Sequence, residues 1–169
     1  MRIILYRHGE RIGDRLTRLG KKHVKLSSKQ LSEFNIKHVF CSPANRCLET
    51  EKIMRKQLRL PPCEIRDELN ERWQLNHAPE TSEEKLWWDN YMNYDFPHSP
   101  VGENCREFID RNYKLFKEIV KNANDKDDIL IIAHTATAYA LNSFVSNKKK
   151  GQIDWFKMGN ANYIAVEIN

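Results

Sequence analysis

Long apolar runs and paired cysteine motifs are both missing from this sequence of 169 residues. No apolar stretch approaches the roughly 20 residues that a membrane-spanning helix needs, so we expect no membrane partner. Arg7 and His8 interrupt the first apolar run too early for the core of a signal peptide. The four cysteines form no C-x-x-C pair and no zinc-type spacing, which predicts free thiols in a reducing compartment. These absences favour a cytoplasmic protein.

A strong excess of one charge is also lacking. The chain has 28 basic and 23 acidic residues, a formal net charge of +5. This surplus favours anionic partners in general. The bases are scattered, and the one run, residues 148–150, is typical of a solvated turn, so we expect no nucleic-acid partner. With 40% hydrophobic residues and only 6 glycines and 6 prolines, the composition is that of a globular protein. We expect a single domain over residues 1–169.

Short apolar segments alternate with amphipathic ones along the chain. This alternation predicts an α/β fold, a three-layer sandwich whose mostly parallel central sheet has helices on both faces. The predicted strands are Ile3–Tyr6, Val39–Cys41, Cys63–Arg66, Ile129–Ala133 and Tyr163–Ile168. The predicted helices run from Thr17 towards Phe34, from Pro43 to Leu58, and over Ser82–Tyr94, Asn104–Val120 and Ala136–Val145.

Residues with reactive or charged side chains follow the predicted strands. Arg7 and His8 follow the first strand, Arg46 comes soon after the second, Glu71 follows the weak third, and His134 follows the fourth. Ligands of such sheets bind outside the carboxyl ends of the strands. We therefore expect two arginines, two histidines and a carboxylate at one edge of the sheet.

This set of side chains suits phosphoryl chemistry. The planar guanidinium matches phosphate oxygens and is always charged. A neutral histidine can attack phosphorus, and a carboxyl group can protonate the departing oxygen. Phosphoryl transfer needs mainly positioning and charge stabilisation, so the residues predict a reaction without metal or cofactor on a small phosphorylated substrate, with a phosphoprotein as an alternative.

Six segments, in one consistent order, resemble the motifs of the histidine phosphatase superfamily, also called phosphoglycerate mutase-like. Together they span nearly the whole chain, and the resemblance implies the fold and the chemistry expected above. The segments are LYRHGE at 5–10, RLTRLG at 15–20, CSPANR at 41–46 with Thr50 beyond, LNER at 69–72, GEN at 102–104 and IIAH at 131–134.

The resemblance also implies roles for individual residues. His8 would attack phosphorus and become phosphohistidine, and Glu71 would protonate the leaving alkoxide and then activate water. A cation beside His8 lowers its basicity and favours the neutral, nucleophilic form. The groups implied to hold the phosphoryl oxygens are the side chains of Arg7, Arg46 and His134 and the backbone N–H of Thr135.

Several positions depart from the mutase pattern. Asp14 stands nearest to the place of a phosphate-binding asparagine, and its charge would repel phosphate. Thr135 replaces the glycine that follows the second histidine of mutases. No glycine comes soon after Glu71, unlike in the mutase motif, so Glu68 is the alternative proton donor. The chain also lacks the C-terminal extension of mutases. These departures favour a compact phosphatase of the phosphoric monoester hydrolase class, with a mutase-like isomerase or a non-catalytic phosphate-binding module as alternatives.

Substrate choice is expected to depend on the irregular segment 74–100, a predicted lid. Trp87, Tyr91 and Tyr94 share one helical face, which packing onto the domain explains better than a role over the pocket. The weaker candidates for substrate binding are Arg11, Thr17, Trp73 and His77.

Overall fold

The structure is a computed structural model that describes residues 1–72, 78–90, 93–97, 99–100, 102–146 and 156–168. A five-stranded sheet with the order β5-β4-β6-β1-β7 forms its centre, and β2 and β3 form a separate two-stranded hairpin. The strands are β1 (Arg2–Arg7), β2 (Arg11–Ile12), β3 (Arg15–Leu16), β4 (Ile36–Cys41), β5 (Glu64–Ile65), β6 (Asp128–Ala133) and β7 (Tyr163–Glu167). The α-helices are α1 (Arg18–Ser27), α2 (Asn45–Leu58), α3 (Ser82–Asp89), α4 (Cys105–Asn122) and α5 (Thr135–Val145).

The sheet is parallel except at one edge. Strand β6 pairs in parallel with both β1 and β4, and only β7 is antiparallel, with Tyr163 opposite Tyr6. Every residue of β6 is buried, and all but the first, Asp128, are apolar. A parallel strand covered by helices on both faces needs such a continuous apolar run. The predicted α/β class and mostly parallel sheet are confirmed.

Alternate residues of the central strands supply two separate cores, because successive side chains point to opposite faces. One set packs with α4 and α5, and the other packs with α1 and α2. The first set is Ile3, Leu5, Ile129 and Ile131, and the second is Ile4, Tyr6, Leu130 and Ile132.

Two predicted helices end earlier than the sequence suggests. The α-helix predicted from Thr17 towards Phe34 ends at Ser27, and the chain then forms a 3₁₀ helix over Ser28–Glu33. The helix predicted over Ser82–Tyr94 ends at Asp89. Among the described residues, no helix is both long and apolar enough to cross a membrane.

The loop after β1 packs tightly on α1, with Gly20 at the contact. A Cβ atom on Gly20 would lie 2.2 Å from the carbonyl oxygen of Glu10, a distance that real Cβ atoms do not reach. The backbone N–H of Thr17 also donates to that carbonyl, and the Thr17 side chain caps α1 by accepting from the N–H of Gly20. The start of α1 therefore holds the loop that begins at His8.

Candidate active site

The carboxyl ends of three neighbouring parallel strands lie on the same side of the sheet. Strand β1 ends at Arg7, β4 at Cys41 and β6 at Ala133. His8 and His134 immediately follow two of these strands. The N–H of His8 donates to the carbonyl of Ala133 across the pair, so the parallel register places the two histidines side by side. Their ring centroids lie 5.3 Å apart.

His8 is held as a neutral base with one nitrogen exposed to the site. Its Nδ1 lies 2.8 Å from the carbonyl oxygen of Gly9, which can only accept, so the ring proton is on Nδ1. The lone pair of Nε2 faces Nε–H of Arg46 at 3.2 Å. Burial, reinforced by the charges of Arg46 and Arg7, lowers the pKa of His8 to about 4. The ring is therefore uncharged at neutral pH, and its free lone pair is on Nε2.

Arg46 connects the two histidines. Besides its contact with His8, its Nη2 lies 3.3 Å from Nδ1 of His134. Its Nη1 donates to Oδ1 of Asp14 at 2.6 Å. The guanidinium thus directs two of its nitrogens, Nε and Nη2, to the imidazoles, where a phosphoryl group would find its donors.

His134 is fully buried and follows β6 directly, as the N-cap residue of α5. Since the guanidinium of Arg46 can only donate, Nδ1 of His134 accepts and Nε2–H donates to Oγ of Ser42 at 3.0 Å. Burial and then Arg46 lower the pKa of His134 well below its usual value. The next residue, Thr135, begins α5, and the first backbone N–H groups of a helix have no partner within the helix. An anion at this place would meet those N–H groups.

Glu71 approaches the same imidazole, with Oε2 3.3 Å from Nδ1 of His134. Burial raises the pKa of Glu71, although Arg46 and Arg7 oppose the shift. Nδ1 of His134 carries no proton and so donates no hydrogen bond to a Glu71 carboxylate, which leaves burial as the main influence on the pKa of Glu71. A carboxyl group with a raised pKa is suited to general acid catalysis.

Glu68, the alternative proton donor, is engaged elsewhere. Both of its carboxylate oxygens accept from the guanidinium of Arg66, at 3.0 and 3.2 Å. These hydrogen bonds lower the pKa of Glu68. A carboxylate that is paired and more acidic than usual is a poor proton donor, so the geometry favours Glu71.

Arg7 completes the charged surroundings. Its Nη1 donates to the carbonyl of Met158, which anchors the side chain from the far end of the chain. Its Nε is buried and has no hydrogen-bond partner within the described ranges. Burial lowers the pKa of Arg7. A buried donor without a partner next to the site is suited to an incoming oxygen atom.

One possible metal-binding geometry coincides with this cluster. Ligand atoms of His8, Glu71 and His134 all lie within 4.8 Å of one another. A cation there would lie beside the guanidinium of Arg46, which is repulsive. An anion would be attracted by the same guanidinium, so the electrostatics of the cluster favours a phosphoryl group.

The weaker candidates lie in different places. Arg11 is exposed on β2, and its charge contributes to lowering the pKa of His8. The Thr17 hydroxyl caps α1 and donates to the Glu10 carboxylate. Trp73 and His77 lie outside the described residues.

The aromatic face of α3 is partly described. Trp87 is fully buried, as the packing interpretation expects, and the guanidinium of Arg72 lies 5.9 Å from its ring. Arg72 directly follows Glu71, so α3 supports the backbone that carries the carboxyl group. Tyr91 lies outside the described residues.

Sequence reasoning did not assign functions to two groups that orient the site. Ser42 fixes the ring of His134, and the carbonyl of Met158 fixes Arg7. The Ser42-Pro43 pair after a predicted strand was a usable signal for the first. The contact between Arg7 and the Met158 carbonyl had no local signal in the sequence, because 151 residues separate these two residues.

Comparison with known proteins agrees with this geometry. Residues 3–169 match the family model described as histidine phosphatase superfamily (branch 1). The chain belongs to this superfamily, which confirms the family resemblance and agrees with the predicted class of enzyme, a phosphoric monoester hydrolase. No curated protein matches the sequence.

Solved structures of similar fold include several phosphatases. The alpha-ribazole phosphatase from Shigella flexneri is 21% identical, with a TM-score of 0.84 over 100% of this chain and 91% of that chain. A phosphoserine phosphatase from Entamoeba histolytica, in complex with 3-phosphoglyceric acid, is 19% identical, with a TM-score of 0.76 over 97% and 89%. A mycobacterial glucosyl-3-phosphoglycerate phosphatase is 18% identical, with a TM-score of 0.75 over 97% and 90%. At these identities the likeness establishes the shared fold.

Proposed function

We propose that this chain hydrolyses phosphomonoesters without a metal ion, through a phosphohistidine formed on His8. The observation that carries the proposal is the geometry at Nε2 of His8. This nitrogen is unprotonated and faces the guanidinium of Arg46, with His134 and Glu71 in the same cluster. A nucleophile, an anion-binding group and a proton donor are thus available for one phosphoryl group.

In the first step, Nε2 of His8 attacks phosphorus. The N–P bond forms as the bond from phosphorus to the ester oxygen breaks, and the leaving alkoxide takes the proton of Glu71. In the second step, the Glu71 carboxylate removes a proton from water, and the water oxygen attacks phosphorus. The N–P bond then breaks, which releases inorganic phosphate and restores neutral His8 and protonated Glu71.

The charge of the transferring group is stabilised by fixed donors. Arg46 and Arg7 are positioned by Asp14 and by the Met158 carbonyl, so little reorganisation is needed when the oxygens arrive. The proposed ligands of the phosphoryl oxygens are the side chains of Arg7, Arg46 and His134 and the backbone N–H of Thr135.

The proposed substrates are small phosphorylated molecules. The solved phosphatases of similar fold support this class, since their names refer to ribazole, glucosyl-3-phosphoglycerate and phosphoserine. We assign substrate selection to segment 74–100, which includes His77, and to Trp73 just before it, with Arg11 and Thr17 as minor contributors. The whole chain is proposed to act as one domain in the cytoplasm.

The direct test is hydrolysis of an aryl phosphate in excess chelator. His8→Ala should lower kcat/KM by at least about 1,000-fold because the covalent route is lost. His23→Ala, at an exposed position of α1, is the matched control and should retain activity. Rapid quenching of the unmodified enzyme should trap a phosphoryl group that is stable in alkali and lost in acid.

An active His8→Ala variant, or activity that the chelator abolishes, would contradict the proposal. Release of inorganic phosphate separates hydrolysis from the isomerase alternative, which would return the phosphoryl group to the substrate.

A further inference from the structure

Helices α1 and α2 leave an open groove of about 790 Å³ between them. Neither histidine of the candidate active site lines it. We call it the α1–α2 groove. Five cationic side chains line it against one carboxylate, a local surplus of four positive charges. The cationic residues are Arg15, Lys21, Lys25, Lys52 and Lys56, and the carboxylate is Glu49.

The carboxylate in the groove is already satisfied. Glu49 accepts from the backbone N–H of Leu16 at 2.7 Å, lies 3.2 Å from Nη1 of Arg15 and 3.7 Å from Nζ of Lys21. Lys25, Lys52 and Lys56 are exposed, and no carboxylate of the described chain lies within ion-pair distance of them. Three charges of the groove are therefore available to an anionic partner.

The cations form two facing rows. Lys52 and Lys56 are four residues apart on α2, and Lys21 and Lys25 are four residues apart on α1, so each pair shares one helical face. From Asn45 to Lys56 the groove extends along α2 for about 17 Å at 1.5 Å per residue. A single phosphate group is too small to contact both rows over this length.

One end of the groove meets the active site. Asn45 lines the groove, and the next residue in the chain, Arg46, contacts both histidines. The backbone N–H of Asn45 also donates to Asp14, the residue that pairs with Arg46. A ligand extended along the groove would therefore have one end at the edge of the phosphoryl site.

The groove lining favours a peptide over nucleic acid. Leu48 and Ile53 are half-buried in its wall and offer an apolar contact between the cations. None of the described lining residues is aromatic, so the groove lacks the stacking surfaces that bind single-stranded bases. An extended peptide covers about 17 Å with five residues at about 3.3 Å each.

We infer that the α1–α2 groove is a docking site for an acidic peptide segment of a protein partner, about five residues long and carrying one apolar side chain. Acidic side chains contact Lys25, Lys52 and Lys56, and the apolar side chain contacts Leu48 and Ile53. Charge complementarity of this kind sets specificity and speeds association. Docking is a binding property and is independent of the proposed hydrolysis.

The test is fluorescence polarisation with a labelled Glu-Glu-Leu-Glu-Glu peptide and the full chain at low ionic strength. Lys52→Glu/Lys56→Glu should weaken binding at least tenfold, and binding should fall as salt rises. The matched control is Lys117→Glu/Lys121→Glu on α4. This control pair has the same four-residue spacing and the same charge change as Lys52 and Lys56, and its second lysine also lies in the last turn of its helix. This control should bind the peptide within about twofold of the unmodified protein.

Three outcomes would overturn the inference. Equal loss in the two double variants would mean a general charge effect. Equal binding of the Gln-Gln-Leu-Gln-Gln peptide would mean that charge is not recognised, and tighter binding of a labelled oligothymidylate would assign the groove to nucleic acid. Circular dichroism on both variants checks that each is folded, and no outcome depends on turnover.

Discussion

The Oδ1 atom of Asp14 lies 2.6 Å from Nη1 of Arg46, and Oδ2 accepts from the backbone N–H of Asn45 at 3.1 Å. The β2–β3 hairpin carries Asp14 to this place, with Gly13 in the left-handed conformation at φ 56°. The carboxylate contacts the guanidinium edge that faces away from the histidines. Asp14 therefore positions Arg46 while offsetting part of its charge.

Asp14→Asn should strengthen inhibition by inorganic phosphate. Removing a unit charge near the site is worth about 1 kcal/mol, or about fivefold in the inhibition constant. Competitive inhibition of aryl phosphate hydrolysis measures the effect. Asp125→Asn, exposed before the opposite end of β6, is the control and should leave the constant unchanged. An equal change in both variants would exclude a local role for Asp14.

The pH dependence of kcat/KM should have an acid limb near pH 4. In the proposed reaction His8 acts in its neutral form, and its pKa is lowered to about 4, so activity falls only as the pH drops through that value. Glu71 must be protonated and its pKa is raised, so activity falls as the pH rises through the pKa of Glu71. The profile is measured at constant ionic strength and corrected for substrate ionisation. An acid limb near 6.5, the ordinary pKa of histidine, would contradict the burial of His8.

Glu71→Gln should affect poor leaving groups more than good ones. A general acid contributes about 100- to 10,000-fold when the leaving oxygen is basic, and less for an aryl oxide. Comparing kcat/KM on an alkyl and an aryl phosphate measures this difference, because kcat/KM reports the first step, in which the leaving group departs. Glu68→Gln removes a carboxylate that pairs with Arg66 and should leave the ratio unchanged. The reverse pattern would assign the acid to Glu68.

Gly20→Ala should destabilise the protein by at least about 2 kcal/mol, because the added methyl group overlaps the backbone of Glu10. Alanine is otherwise the better helix former, so the sign of the change is diagnostic. Urea unfolding measures the free energy. Gly159→Ala, where a Cβ meets no atom within 4 Å, is the control. A Gly20→Ala variant as stable as the unmodified protein would refute the close contact between α1 and the loop after β1.

Much of the fold followed from local patterns. The apolar runs marked strands β1 and β6, and the predicted helix starts at Thr17 and Asn104 are the N-cap residues of α1 and α4. The hairpin of β2 and β3 was not predicted, since its strands have two residues each and carry no periodicity. Its Gly13-Asp14 turn was the available signal.

The sequence by itself determined which residues follow the central strands, because apolar periodicity marks where a buried strand stops. His8 and His134 were identifiable for this reason. Tertiary structure alone decided that Asp14 pairs with Arg46 and that the Met158 carbonyl fixes Arg7. It also decided that lysines of α1 and α2 line one groove. Such contacts join segments far apart in the chain, and their geometry depends on how whole helices pack on the sheet, which no local pattern encodes.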